Sequence, residues 1–254
     1  MRFMAPILFA ILLMLPLPIA QADEAQPVLV ELFTSEGCSS CPPADANLQT
    51  LAKTQPVDGA RVIPLSFHVA YWNRLGWKDP FSKDAFNERQ YAYAKKFGAG
   101  GVYTPQMIVD GRSEFVGSKM SEAKANIREA SGPAKLPIVL ELRGPDRVKV
   151  TLPKTPPSAS RLLVAVTEDG LSENVTRGEN RGRTLSHIGV VRDLRVAAEL
   201  PTGKIDDVHE AELSIDPSWS REHLKVVAFT QDAKTWRVYG AAVMSLAPSV
   251  ASAR

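Results

Sequence analysis

Apolar residues change their spacing along this chain, and each spacing predicts an element. Val28 to Phe33 runs apolar almost without interruption, as a strand covered on both faces does. Ala44, Leu48 and Leu51 then recur at helical spacing, predicting a helix over 44–54. Val62 to Phe67 reads as a second strand, with Pro64 marking a late start or a free edge. Asp84 to Phe97 sets Phe86, Gln90, Tyr93 and Phe97 along one side and predicts a helix that stops at Gly98. Gln106–Val109, the turn Asp110-Gly111 and Ser113–Val116 predict a β-hairpin, and Ser121 to Ala130 a closing helix.

The pattern changes after Pro133. Residues 138–142, 147–152, 162–166, 185–196, 208–215, 224–230 and 236–244 all read as strands, separated by Gly, Pro, Asp and Asn clusters. Strands so spaced predict an all-β, sandwich-like unit over 133–247. The α/β unit before it covers 23–132, and the small polar tail 248–254 is expected to fray.

Residues 7–19 are apolar, follow Arg2 and end at Ala20-Gln21-Ala22, the layout of a cleaved export signal over 1–22. Pro16 and Pro18, together with the short length, argue against a membrane span. No second long apolar run follows, so the mature chain is expected to have no span and to act in the periplasm or outside the cell. Of 254 residues, 44% are hydrophobic and 23% charged, which is enough apolar material for a core. A formal net charge of +2 gives no support to nucleic-acid binding.

The chain has two cysteines, Cys38 and Cys41, too few for a disulfide scaffold or a four-cysteine zinc site. They stand three positions apart, just after the first strand and at the start of the first predicted helix. Unpaired N–H groups and the positive end of the helix dipole favour a thiolate there. Cys38 is therefore expected to attack and Cys41 to resolve, the two steps of thiol–disulfide exchange. Tyr103-Thr104-Pro105-Gln106 supplies the second signal. A proline at the head of a strand, approached by Gly98, Gly100 and Gly101, is read as a cis bond that exposes the Thr104 backbone for pairing with a substrate segment. His68, at the end of the second strand, is a possible auxiliary proton carrier or third ligand. Tyr71, Trp72, Trp77 and Phe81 read as local core, with a lid or substrate wall as the second reading, and Arg177 to Arg183 as a solvated turn, with a contact onto the first half as the second reading.

Strand, C-x-x-C, helix, strand, helix, X-Pro, hairpin and helix, over residues 27–131, resemble the thioredoxin superfamily. Residues 31–43, 67–69, 71–81 and 102–107 are more closely similar to the secreted family of domain of unknown function 1223, and the likeness extends to Gly178–Gly182 and His187. The resemblance implies a thioredoxin-like domain followed by the sandwich-like one, and no established reaction. The chain departs from thioredoxin itself at Leu32, where a buried acid would stand; Glu31 beside it should face the other side of the strand. It departs from the family at Ala70, where members commonly carry an acid.

The leading expectation is an exported thiol–disulfide oxidoreductase acting on protein thiols or disulfides, or on a redox partner protein. Cys38, Cys41, Thr104 and Pro105 form its site, and no cofactor is expected. The alternatives are a carrier of copper or another thiophilic metal through Cys38, Cys41 and His68, and a non-enzymatic binding module.

Overall fold

A computed structural model describes residues 25–203 and 207–247. The expected export signal and the expected tail lie outside the described residues. The first half contains β1 (Gln26–Thr34), α1 (Pro42–Thr54), β2 (Ala60–His68), α2 (Asp84–Phe97), β3 (Gln106–Val109), β4 (Ser113–Val116) and α3 (Met120–Ser131). A 3-10 turn, Ala70–Leu75, precedes α2. The second half contains β5 (Val139–Leu142), β6 (Arg147–Thr151), β7 (Ser160–Glu168), β8 (Leu171–Asn174), β9 (Thr184–His187), β10 (Val190–Leu200), β11 (Val208–Glu212), β12 (Leu224–Asp232) and β13 (Val238–Ser245).

A mixed α/β architecture results, with one eight-stranded sheet in the order β13-β12-β7-β10-β2-β1-β3-β4. β1 runs parallel to β2 and antiparallel to β3, and β3 and β4 form the hairpin. Its turn places Asp110 and Gly111 at positive φ, the backbone that an Asp-Gly pair adopts most readily. The strict alternation of β1 divides the interior. Val28, Val30 and Leu32 pack beneath α1 and α3. Leu29 and Phe33 point the other way, into a core shared with Phe86 and Tyr93 of α2 and with Leu163, Val227 and Phe229 of the second half.

The second half is not a self-contained sandwich. Its strands β10, β7, β12 and β13 extend the sheet of the first half, while β5, β6 and β11 form a separate three-stranded sheet. That small sheet buries Val148 and Val150 against Leu162, Val164 and Val226. The cause of the junction is local. Pro64 has no N–H to offer at the outer edge of β2, but Ser66 beyond it does, and it donates to Gly189 O at 2.7 Å. Val190 pairs in parallel with Ser66. Gly189 adopts φ +60°, and a Cβ there would meet Pro64 O at 2.6 Å, so only glycine fits this approach. The same glycine interrupts the long strand expected over 185–196, which is two strands, β9 and β10.

Candidate functional site

Ser35 to Cys41 forms the loop between β1 and α1, and Cys38 and Cys41 are joined as a disulfide with Cα atoms 5.5 Å apart. The helix begins at Pro42, and proline fits that first turn because its missing N–H would be unpaired there anyway. Cys41 therefore takes the N-cap position and Cys38 stands ahead of the helix rather than opening it. Both cysteines are buried, whereas Ser39 and Ser40 are exposed.

Thr104-Pro105 is a cis peptide. The Thr104 hydroxyl donates to Cys38 Sγ at 3.3 Å, and Trp72 Nε1 donates to the same hydroxyl at 2.8 Å. The indole N–H occupies a lone pair of Oγ1 and so aims its proton at the sulfur. Ser40 Oγ lies 3.3 Å from Cys38 Sγ. Gln90 Nε2 holds Tyr103 O and Gly117 N holds Pro105 O. Between them, the Thr104 N–H and C=O have no hydrogen-bond partner among the described residues. Trp72 thus belongs to the site, not simply to local core.

Behind the disulfide lies a buried polar cluster. Thr34 and His68 are register partners at the ends of β1 and β2, on the face that packs under α1. His68 Nδ1 is 2.7 Å from Asp79 Oδ2, and that carboxylate also accepts from the Glu36 and Phe81 backbone N–H groups at 2.9 Å. Burial works to raise the Asp79 pKa, but the His68 ring and these N–H groups outweigh it and hold it below the usual carboxylate range. His187 Nε2 is 3.0 Å from Glu36 Oε1, and Trp77 Nε1 donates to Glu36 Oε2 at 2.8 Å. The two imidazole rings stand nearly perpendicular with centroids 4.7 Å apart. Asp45, in the first turn of α1, completes the group. Burial pushes its carboxyl up to about 7, against the opposing pull of His187. Thr34 Oγ1, Asp45 Oδ1, His68 Nε2 and His187 Nδ1 are buried and make no well-formed hydrogen bond among the described residues, although the Thr34 hydroxyl is near enough to Asp45 to oppose the rise in its pKa, an uncommon concentration for a native interior. No three His, Cys, Asp or Glu side chains among the described residues are grouped as metal ligands.

The model of a family described as a protein of unknown function, DUF1223, matches residues 29–231. The chain belongs to the DUF1223 family. This DUF1223 chain is similar to the crystal structure of protein AGR_C_4864 from Agrobacterium tumefaciens, with 26% identity over 90% of this chain and 98% of that one and a TM-score of 0.71. It is also similar in fold to HBP35 of Porphyromonas gingivalis, with 17% identity, 92% of this chain and 80% of that one covered, and a TM-score of 0.63. No curated protein matches it.

Within the DUF1223 chain, Cys38, Cys41, Thr104 and Pro105 come together. His68 sits in the polar cluster, bonded to Asp79. The loop expected to be a solvated turn is instead docked on the cysteine loop. Asn180 is fully buried and its Nδ2 donates to Glu36 O and Cys38 O at 2.8 and 2.9 Å, while Glu179 accepts from Ser39 N. Asp45, Glu36, Asp79, Asn180 and His187 were not singled out as site residues by the sequence. For Asn180 and His187 the signal was the stretch Gly178–Gly182 and His187, which resembles the family where a plain turn would not.

Proposed function

We propose that this protein is an exported, thioredoxin-like thiol–disulfide oxidoreductase that exchanges disulfides with protein partners through Cys38 and Cys41. The observation that carries the reading is the Thr104 hydroxyl aimed at Cys38 Sγ from the loop opposite the dithiol. The parallel β1–β2 pair, the antiparallel β3–β4 hairpin and the helices on both faces support the thioredoxin-like part. Residues 1–22 support export.

In the oxidising direction a substrate thiolate attacks Cys38 Sγ. The Cys38–Cys41 bond breaks, and its electron pair leaves with Cys41. A second substrate thiolate attacks the substrate sulfur of the mixed disulfide and releases Cys38. The substrate loses two electrons and gains a disulfide; the protein gains the two electrons as a dithiol. The unpaired Thr104 backbone groups suit a substrate strand laid beside them. The reverse sequence reduces a substrate.

Insulin reduction and refolding of a scrambled disulfide protein test the reading. Cys38→Ser should abolish exchange, and Cys41→Ser should accumulate mixed disulfides that reductant releases. If neither substitution changes either assay, the oxidoreductase reading fails.

A further inference from the structure

Opening the disulfide creates a sulfur anion at Cys41, a fully buried position. A buried anion needs a proton or a partner. Three observations place a proton source there. Asp45 N donates to Cys41 O at 3.1 Å, and the N-cap backbone of Cys41 is itself helical, so the two side chains share one helix face a turn apart. One turn further on, Gln49 Nε2 donates to Ser186 O at 2.6 Å, which fixes β9, and with it His187, alongside α1. Finally, Asp45 Oδ1 and His187 Nδ1 are both buried and make no well-formed hydrogen bond among the described residues, while the other His187 nitrogen is held by Glu36.

We infer that Asp45 and His187 form a proton relay to Cys41, in which the second half of the chain supplies the imidazole that returns a proton to an acid of the first. This rests on Cys38 and Cys41 acting as an exchanging pair. When substrate attacks Cys38, the neutral Asp45 carboxyl gives its proton to the departing Cys41 sulfur, leaving Cys41–SH and Asp45 carboxylate. A proton then returns to Asp45 from the His187 imidazolium, leaving neutral imidazole that a proton from solvent recharges. When Cys41 resolves a mixed disulfide the protons run backward. Around Asp45 the charged and titratable groups are Glu36 from the loop after β1, Asp79 from the loop before α2 and His187 from β9, and the Thr34 hydroxyl at the end of β1 also favours its anion. Glu36 and Asp79 disfavour its anion and His187 favours it. The carboxyl titrating at about 7 is thereby able both to give and to accept a proton near neutrality. The His68 ring, held by Asp79, meets the His187 ring edge to face.

The test is the rate at which dithiothreitol reduces the protein's own disulfide, followed by tryptophan fluorescence from pH 5 to 9 and divided by the dithiothreitol thiolate concentration. Wild-type protein should show this normalised rate falling as pH rises through about 7. Asp45→Asn should lower the rate below pH 7 by roughly a hundredfold, the low end of general-acid contributions, and erase the inflection. His187→Gln, which can still donate to Glu36, should move the inflection upward, because the group that favours the Asp45 anion is gone. A solvent isotope effect on the wild-type rate below pH 7 is expected to vanish above it, and this arm needs no substituted protein to fold. An inflection that ignores both substitutions, or no isotope effect below pH 7, overturns the relay. Dithiothreitol stands in for any protein substrate, so the relay can fail while the insulin and refolding assays succeed, and the converse.

Discussion

Glu31 and Glu36 stand a few residues apart and meet the interior in opposite ways. Glu31 lies on the β1 face turned to α2. Arg89 Nε donates to it at 2.7 Å and Tyr93 also hydrogen-bonds it, while Gln231 Nε2 reaches Tyr93 from β12 at 2.9 Å. The Arg89 guanidinium packs against the Phe67, Tyr93, Phe229 and Trp236 rings. None of these side chains has an unpartnered buried atom among the described residues. The cluster around Glu36 is as deeply buried, but four of its polar atoms make no well-formed hydrogen bond among the described residues. A network with every valence used is an internal clamp between the two halves. One with valences to spare is able to change protonation, and it lies where the proposed chemistry demands that.

The largest effect should come from breaking the clamp. Arg89→Met strands the Glu31 carboxylate in the core, which typically costs about 3–5 kcal/mol; urea unfolding measures it, and a loss under 1 kcal/mol would put Glu31 in the same class as Glu36. Asn180→Ala comes next. It leaves the buried Glu36 carbonyl unpaired and takes one of the two donors from Cys38 O, which keeps Cys41 N–H, at about 1–3 kcal/mol, and it loosens the cover of the cysteine loop, so proteolysis within 175–183 should quicken. The pH arm is smaller at any one step. Asp45 titrates near 3.8 unfolded and about 7 folded. The folded state thus holds the extra proton, and the stabilisation is full below pH 3.8 and is lost as pH rises to about 7. The slope between those values is about 1.4 kcal/mol per pH unit, and Asp45→Asn should flatten it in denaturation curves taken across that window. Trp72→Phe is expected to be mildest. It removes one hydrogen bond to Thr104, worth about 1 kcal/mol, and should move the urea midpoint slightly while leaving the clamp intact.

The first half was largely legible in the sequence because its signals are local. Helical spacing gave α2 its observed limits, and the Asp-Gly pair predicted the hairpin turn. Glu31 faces away from the disulfide, as the period of two requires. What escaped was non-local. Nothing in residues 185–196 announces that Gly189 will press against Pro64 and carry β10 onto β2, so one strand was expected where two exist. The polar cluster escaped for the same reason. Glu36, Asp45, Asp79 and His187 belong to four separate segments, each with an ordinary pattern of its own, and only the closed fold shows that they share a face.

The junction of β10 with β2 has a consequence for the growing polypeptide. Until Val190 has been made, the outer edge of β2 exposes Ser66 N–H to any passing strand, and Phe33 and Phe67 wait for the residues of β7 and β12 that cover them. An open edge beside uncovered aromatics is a template for aggregation. The first half, although it holds both cysteines, would therefore spend most of synthesis in need of an escort, and a shortened chain ending at Gly132 would keep that need for good.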